Sequence, residues 1–403
     1  MYLDKYVNEK QTITFNEFKT LNVIISLMDL AKKELTRHII LNIVYLLIVL
    51  GLTALAFYLT IGNNASKIID ILAKANGWYI FAIFMVVLGC IIARSIALFS
   101  LTRLFDKNYR FHRAIAIDQI GSLYRMVTPA GLGSHVMETY TYNKQGIRMS
   151  NALSILAMYS IVYQIVLILY GVVSLIFKHN VINEIGYISI NGGQVSLWLL
   201  ISIGFFFNVA TIGFILLLSY WEPFYKFIRG PIFKLGYKLH LSKDLEASRA
   251  RLDLAKDNFR QNLKNLLKNV KTLLVCALMF FIYITISYSV PYIAGLSLSN
   301  SSSYANFWDS VLLSNVHQMA TCVIPIPGSS GVSELFFYNL FYPSTGPKFY
   351  STDEIARASL LLWRSLMFII PLFIGCIYTI IYRPKNRKII DNNDHQENQD
   401  IKE

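Results

Sequence analysis

Long apolar runs dominate the chain. Six of them reach the length of about 20 residues needed to cross a hydrocarbon core. They are Ile39–Ile61, Trp78–Leu101, Ala152–Phe177, Ser196–Tyr220, Thr272–Leu296 and Ala358–Tyr382. Each predicts a transmembrane helix, because a lone segment in lipid must satisfy its own backbone hydrogen bonds. Two further apolar runs, 114–142 and 307–342, are interrupted midway. The first breaks at Thr128-Pro-Ala-Gly-Leu-Gly133 and the second at Pro325-Ile-Pro-Gly-Ser-Ser-Gly331. Proline removes a helix donor and glycine releases φ, so each run predicts helix, break, helix. Upstream, residues 1–38 are charged. Phe18, Leu21, Ile25, Met28 and Leu35 fall at helical spacing there, which predicts an amphipathic helix on the membrane surface.

Loop charges set the orientation, since Lys and Arg concentrate on the cytoplasmic side. The N-terminal segment holds Lys5, Lys10, Lys19, Lys32, Lys33 and Arg37. The loop after the second span holds Arg103, Lys107, Arg110 and Arg113. The loop 221–271 is rich in both residues and reads as a basic cytoplasmic helix. The outer loop 178–195 carries one cation, and the stretch 297–306 carries none. The tail 383–403 opens on Arg383-Pro-Lys-Asn-Arg-Lys388 and returns to the cytoplasm. Both termini are therefore expected in the cytoplasm of a multi-pass protein of the cell membrane. The alternation leaves no room for the broken runs to cross. Each is expected to be a re-entrant hairpin, and the two enter from opposite faces.

A repeat follows from this order. Span, span, hairpin, span occurs in 39–177 and again in 196–382. Each unit has an odd number of crossings, so the second copy is inverted. The expected fold is an all-α integral membrane protein of six full spans and two broken-helix hairpins in an inverted repeat. Transporters with paired broken helices often place the substrate near the bilayer midplane.

Composition supports lipid as the solvent. Of the 403 residues, 55% are hydrophobic and only 15% charged, against about 25% charged in soluble domains. The net charge of +13 fits anionic lipid headgroups at cytoplasmic loops. No soluble basic face suggests a nucleic-acid partner. The cysteines Cys90, Cys276, Cys322 and Cys376 lie in apolar segments without metal-ligand spacing. No Walker loop or dinucleotide fingerprint occurs, and neither a cofactor nor a metal is expected.

A broken helix offers N–H groups and a dipole to an anion at the start of its second half. Thr128, Pro129, Gly131 and Gly133 in the first break, with Pro327, Gly328 and Gly331 in the second, are the candidate binding backbone. Ionisable side chains at membrane depth are the other candidates. Asp118, Ser122 and Arg125 share a helical face before the first break, and His135 and Glu138 share one after it. Asp309 and His317 precede the second break and Glu334 follows it. Arg364 lies deep in the last span, where a pair with Glu334 is expected. Arg94 is expected to snorkel to the cytoplasmic interface, and Asp309 to sit near the outer one.

Thr128-Pro-Ala-Gly-Leu-Gly-Ser134, then Gly146, then Pro325-Ile-Pro-Gly-Ser-Ser-Gly-Val-Ser-Glu334 with Arg364, resemble the lysylphosphatidylglycerol synthase transmembrane family. This is the flippase-like region of the multiple peptide resistance factors, also found in stand-alone proteins. The likeness covers about residues 39–382. It implies a lipid translocase and a link to antimicrobial peptide resistance. The family's two-domain members add a soluble synthase domain that lysylates phosphatidylglycerol. This chain ends about twenty residues after the last span, so synthase activity is not expected. It departs from the family where Gly133-Ser134-His135 replaces Gly-Gly-Glu and Glu138 stands where an arginine is common.

The first functional reading is therefore a flippase that moves a phospholipid or glycolipid, aminoacylated phosphatidylglycerol among the candidates. Arg125 and Arg364 would neutralise phosphate, while Glu138 and Glu334 would contact a cationic or hydroxyl-bearing headgroup or carry protons. The alternatives are a lipid-modifying enzyme using His135, Glu138 or His317 as acid and base, and a partner subunit of a lipid synthase. The expected partners are lipids with anionic or phosphate headgroups, with a lipid synthase and a second copy of the chain as further candidates.

Overall fold

The structure is a computed structural model. It describes residues 47, 50–51, 53–55, 57–58, 60–62, 65–128, 131–190, 193–227, 245–298, 306–322, 324 and 326–382. The chain falls into two compact units, Met1–Gly51 and Leu52–Glu403, and the architecture below is that of the second. The expected surface helix of 1–38, the tail 383–403, most of the run 39–61 and Pro129 lie outside the described residues.

The helices in order are α1 (Ala65–Ala73), α2 (Gly77–Thr102), α3 (Phe111–Val127), α4 (Gly133–Lys144), α5 (Met149–Ile185) and α6 (Leu197–Tyr220). There follow α7 (Leu245–Lys268), α8 (Val270–Tyr288), α9 (Val290–Leu298), α10 (Phe307–Thr321), α11 (Val332–Phe341), α12 (Asp353–Arg364) and α13 (Ile370–Ile381). Among the described residues five helical stretches are long and apolar enough to cross a membrane: α2, α5, α6, α8 with α9, and α12 through α13. The protein is thus a multi-pass, essentially all-α membrane protein. The sixth expected span is the one that falls largely outside the described residues.

Two elements depart from the sequence reading. The segment 178–195, expected to be a loop, carries regular structure: α5 continues to Ile185 and a two-stranded antiparallel ribbon follows. Gly186, at φ 64°, stops the helix. Strands Tyr187–Ile190 and Gly193–Ser196 then pair in the register Tyr187 with Ser196. The dipeptide Asn191-Gly192 is the sequence signal for such a ribbon.

The last span carries a defect. Between α12 and α13 the chain forms a π turn over Ser365–Ile369, in which the Ile370 N–H bonds to the Ser365 carbonyl. Pro371 explains it. Proline has no N–H and its ring excludes the carbonyl four residues back, so the turn widens by one residue. Arg364 is the last residue before the widened turn.

The two broken runs have the expected local form. α3 and α4 are separated by 128–132 and pack against each other. α10 and α11 are separated by 322–331, which includes a tight turn over Pro327–Ser329, and they also pack together. On α4, Leu132, Val136 and Tyr140 are exposed one helical turn apart, while Ser134, Glu138, Thr141 and Tyr142 are buried. Helix periodicity thus gives α4 an apolar outer face and a polar inner one.

The two breaks meet. A Cβ placed on Gly328 would lie 3.3 Å from the Met126 carbonyl oxygen at the end of α3, and 2.5 Å from the Phe368 ring. Only glycine allows that approach, and its φ of 59° adds a second reason for glycine here. α13 closes on the same region, where Gly375 packs against the backbone of Gln119.

Candidate functional site

Three arginine–carboxylate pairs surround the meeting point. The first joins α2 to α3. Arg94 donates from Nε to Asp118 Oδ1 at 2.8 Å and from Nη2 to Oδ2 at 3.0 Å. The neighbouring Gln119 amide donates to Oδ2 at 2.7 Å. Contrary to the sequence reading, Arg94 does not snorkel but pairs with Asp118 inside the protein. It is only 9% exposed. Eight residues separate it from the end of α2, about 12 Å of helix rise, which a side chain cannot span.

The second pair lies within the first broken run. Arg125 Nη2 sits 3.2 Å from Glu138 Oε1, which also accepts from the Ser134 hydroxyl at 2.9 Å. His135 Nδ1 contacts Glu138 Oε2 at 3.0 Å. The carboxylate tucks against Gly121 of α3, where any Cβ would collide with it. Glu138 is 2% exposed, whereas the Arg125 side chain is 41% exposed.

The third pair lies at the second break. Arg364 Nε approaches Glu334 Oε1 at 2.7 Å, so the expected pair is present. Arg364 Nη2 also donates to the Gly328 carbonyl and to the Ser330 hydroxyl, both at 2.8 Å. Its guanidinium carbon lies 3.8 Å from the centre of the Phe368 ring. These bonds hold the turn in a costly conformation: Ser329 is at φ 50°, rare for a residue with a side chain. The Ser330 hydroxyl in turn contacts Thr53 at 3.3 Å.

The break amides are not bare, contrary to expectation. The Gly133 N–H donates to the Thr128 hydroxyl at 3.0 Å. The Gly331 N–H donates to Glu334 Oε2 at 2.6 Å. The place at the second helix start that an anion would take is filled by the chain's own carboxylate.

One cavity of about 280 Å³ joins the three pairs. Arg94, Arg125 and Arg364 all line it, with Gly328, Ser329 and His317. Tyr163, Tyr283, Tyr288 and Trp363 form much of its aromatic wall. The carboxylates Asp118, Glu138 and Glu334 do not line it, and among the described residues no other acidic residue does. The three arginines thus line the cavity while their paired carboxylates stand outside its wall.

Of the candidates read from the sequence, Ser122, Arg125, His317, Gly328 and Arg364 reach the cavity wall. Asp118, Glu138 and Glu334 are buried behind it, so the expected contact of Glu138 and Glu334 with a headgroup is not made at this wall. Thr128, Gly131, Gly133, Pro327 and Gly331 shape the breaks without lining the cavity. His135 is exposed away from it and bound to Glu138. Asp309 instead caps α10 with Asn306 and pairs with Lys178. The sequence reading missed Arg94 and the tyrosines. An arginine more than two turns inside a span was the available signal for the first. Among the described residues no cluster could hold a metal ion.

The sequence matches the family model described as "Lysylphosphatidylglycerol synthase TM region" over residues 42–375. No curated protein matches it significantly.

Proposed function

Because this chain belongs to the lysylphosphatidylglycerol synthase TM region family, we propose that it is a translocase carrying a phosphate-bearing lipid across the cytoplasmic membrane. One observation carries the reading: three guanidiniums converge on a single cavity inside the helix bundle. A guanidinium has five N–H donors in a planar fork that matches phosphate. Each pairing described above leaves donors over. A phosphate entering the cavity would share the arginines with the carboxylates behind them. Those carboxylates keep the empty cavity electrically balanced, since a buried charge without a partner is costly in a membrane.

In this reading the two broken runs are re-entrant hairpins, and their breaks meet near the bilayer midplane. The halves 39–177 and 196–382 form the inverted repeat, and access alternates as one half rocks against the other. The headgroup crosses through the cavity while the acyl chains remain in lipid. Both termini are cytoplasmic.

The test is leaflet exchange of labelled phospholipid in proteoliposomes. Exchange without any change in lipid mass supports a translocase. Arg125→Gln and Arg364→Gln should each slow it at least about tenfold, the loss of one charge-assisted bond. A change in lipid mass would instead indicate an enzyme. Undiminished exchange in both variants would overturn the site assignment.

A further inference from the structure

We infer that the cargo headgroup is a net-anionic phosphate ester bearing hydroxyls and no ammonium group, so that the aminoacylated form is disfavoured. The inference rests on the translocase reading above and narrows its substrate class.

An ammonium group in a buried site needs a carboxylate or an open aromatic face. The cavity offers no carboxylate, and part of its aromatic wall is already engaged. Among the described residues no Asp or Glu lines it. Asp118, Glu138 and Glu334 are at most 3% exposed, and each is engaged by an arginine. The faces of Tyr283 and Trp363 are already engaged. The Arg94 guanidinium carbon lies 5.1 Å from the Tyr283 ring centre, and Arg364 covers Phe368. Trp363 stacks on Phe337 at 4.7 Å and lies perpendicular to the His317 ring at 5.5 Å. A lysyl ammonium entering this space would meet three cations. At an effective dielectric near 20, like charges about 5 Å apart repel by about 3 kcal/mol before the carboxylates behind are counted.

His317 supplies the complementary feature. Its Nε2 lies 2.9 Å from the Ser333 carbonyl oxygen. A carbonyl only accepts, so Nε2 carries the proton and Nδ1 is left as an acceptor. His317 lines the cavity, where an acceptor nitrogen suits a headgroup hydroxyl. Ser287, Ser314 and Gln318 extend the same neutral polar wall.

The test uses dioctanoyl forms of phosphatidylglycerol and lysyl-phosphatidylglycerol. Binding to the purified full-length protein is read by native mass spectrometry, and leaflet exchange is measured in proteoliposomes with long-chain forms of the same lipids. Phosphatidylglycerol should bind at least about tenfold more tightly and exchange faster. Gln318→Glu, which places a carboxylate on the wall with little change of shape, should narrow the binding ratio severalfold. Equal or tighter binding of the lysyl form to the unaltered protein overturns the inference, even if both lipids exchange. Preferential binding of phosphatidylglycerol with no exchange of either lipid upholds the headgroup site and overturns the translocase reading.

Discussion

Arg94 grips Asp118 through two hydrogen bonds of 2.8 and 3.0 Å, joining α2 to α3 beneath the cavity. The carboxylate is 1% exposed and has no access to water. Asp118→Ala strips the guanidinium of its counter-charge in a buried setting, at a cost of roughly 3–5 kcal/mol. Replacing both residues, as Arg94→Met with Asp118→Leu, removes the stranded charge and should restore most of that stability. Thermal unfolding in detergent measures both. The double variant should fold yet bind phosphate lipid more weakly, because one of three wall cations is gone. Equal stability of Asp118→Ala and the unaltered protein would show that the pair carries no structural weight.

Glu334 has two duties that substitution can separate. One carboxylate oxygen faces Arg364 and the other accepts the Gly331 N–H at 2.6 Å. Glu334→Gln keeps an acceptor for the amide but loses the charge. Glu334→Ala loses both. The alanine variant should therefore melt lower than the glutamine variant, by the value of a cap, about 1 kcal/mol. Differential scanning fluorimetry gives the order, and the reverse order would refute the capping role.

Much of this arrangement was legible in the sequence because membrane solvation leaves strong marks. The apolar runs 78–101, 196–220 and 272–296 gave spans within a few residues of the helices found. Proline and glycine marked both breaks, because no side chain substitutes for them there. Asp118 and Arg125 stood out as charges where lipid excludes charge. The long-range pairing did not show. Arg94 and Asp118 lie 24 residues apart on different helices, and no local spacing connects them. The same holds for Tyr163 and Tyr283, which read as ordinary apolar filling and become cavity wall only once α5 and α8 pack. The occupied amides were missed for a related reason. Thr128 and Glu334 are local caps that accept from those amides, a signal present in the sequence, where the amides were read as unpaired donors.

Gly328 is where the two broken runs touch, and its substitution should be severe. An added methyl would fall 2.5 Å from the Phe368 ring and 3.3 Å from the Met126 carbonyl oxygen. The left-handed φ of 59° adds about 1 kcal/mol of strain for any L side chain. Gly328→Ala should lower the melting temperature by several degrees. Adding Phe368→Leu, which clears the ring, should recover part of the loss but not the conformational strain. Gly331→Ala is the control: its φ is 87°, but a methyl there meets nothing within 4 Å. It should cost strain alone and gain nothing from Phe368→Leu. If Phe368→Leu rescued both variants equally, the contact with the ring would not be the cause.

The sign of the field in the cavity can be read without any lipid. Cys322 lines the cavity and is exposed, whereas Cys276 is fully buried elsewhere. In a protein with Cys90, Cys276 and Cys376 replaced by serine, Cys322 is the single thiol. Thiosulfonate reagents of equal size but opposite charge then report the local potential by their relative rates. With three guanidiniums on the wall and the carboxylates behind them, the anionic reagent should be enriched near the thiol. Its rate relative to the cationic reagent should exceed the same ratio at a free thiol by several-fold. Arg125→Gln should reduce that excess, because Arg125 is the most exposed of the three wall cations. A ratio equal to that of the free thiol, or one favouring the cationic reagent, would mean that the carboxylates cancel the guanidiniums at the cavity surface. The anion preference would then lose its physical basis.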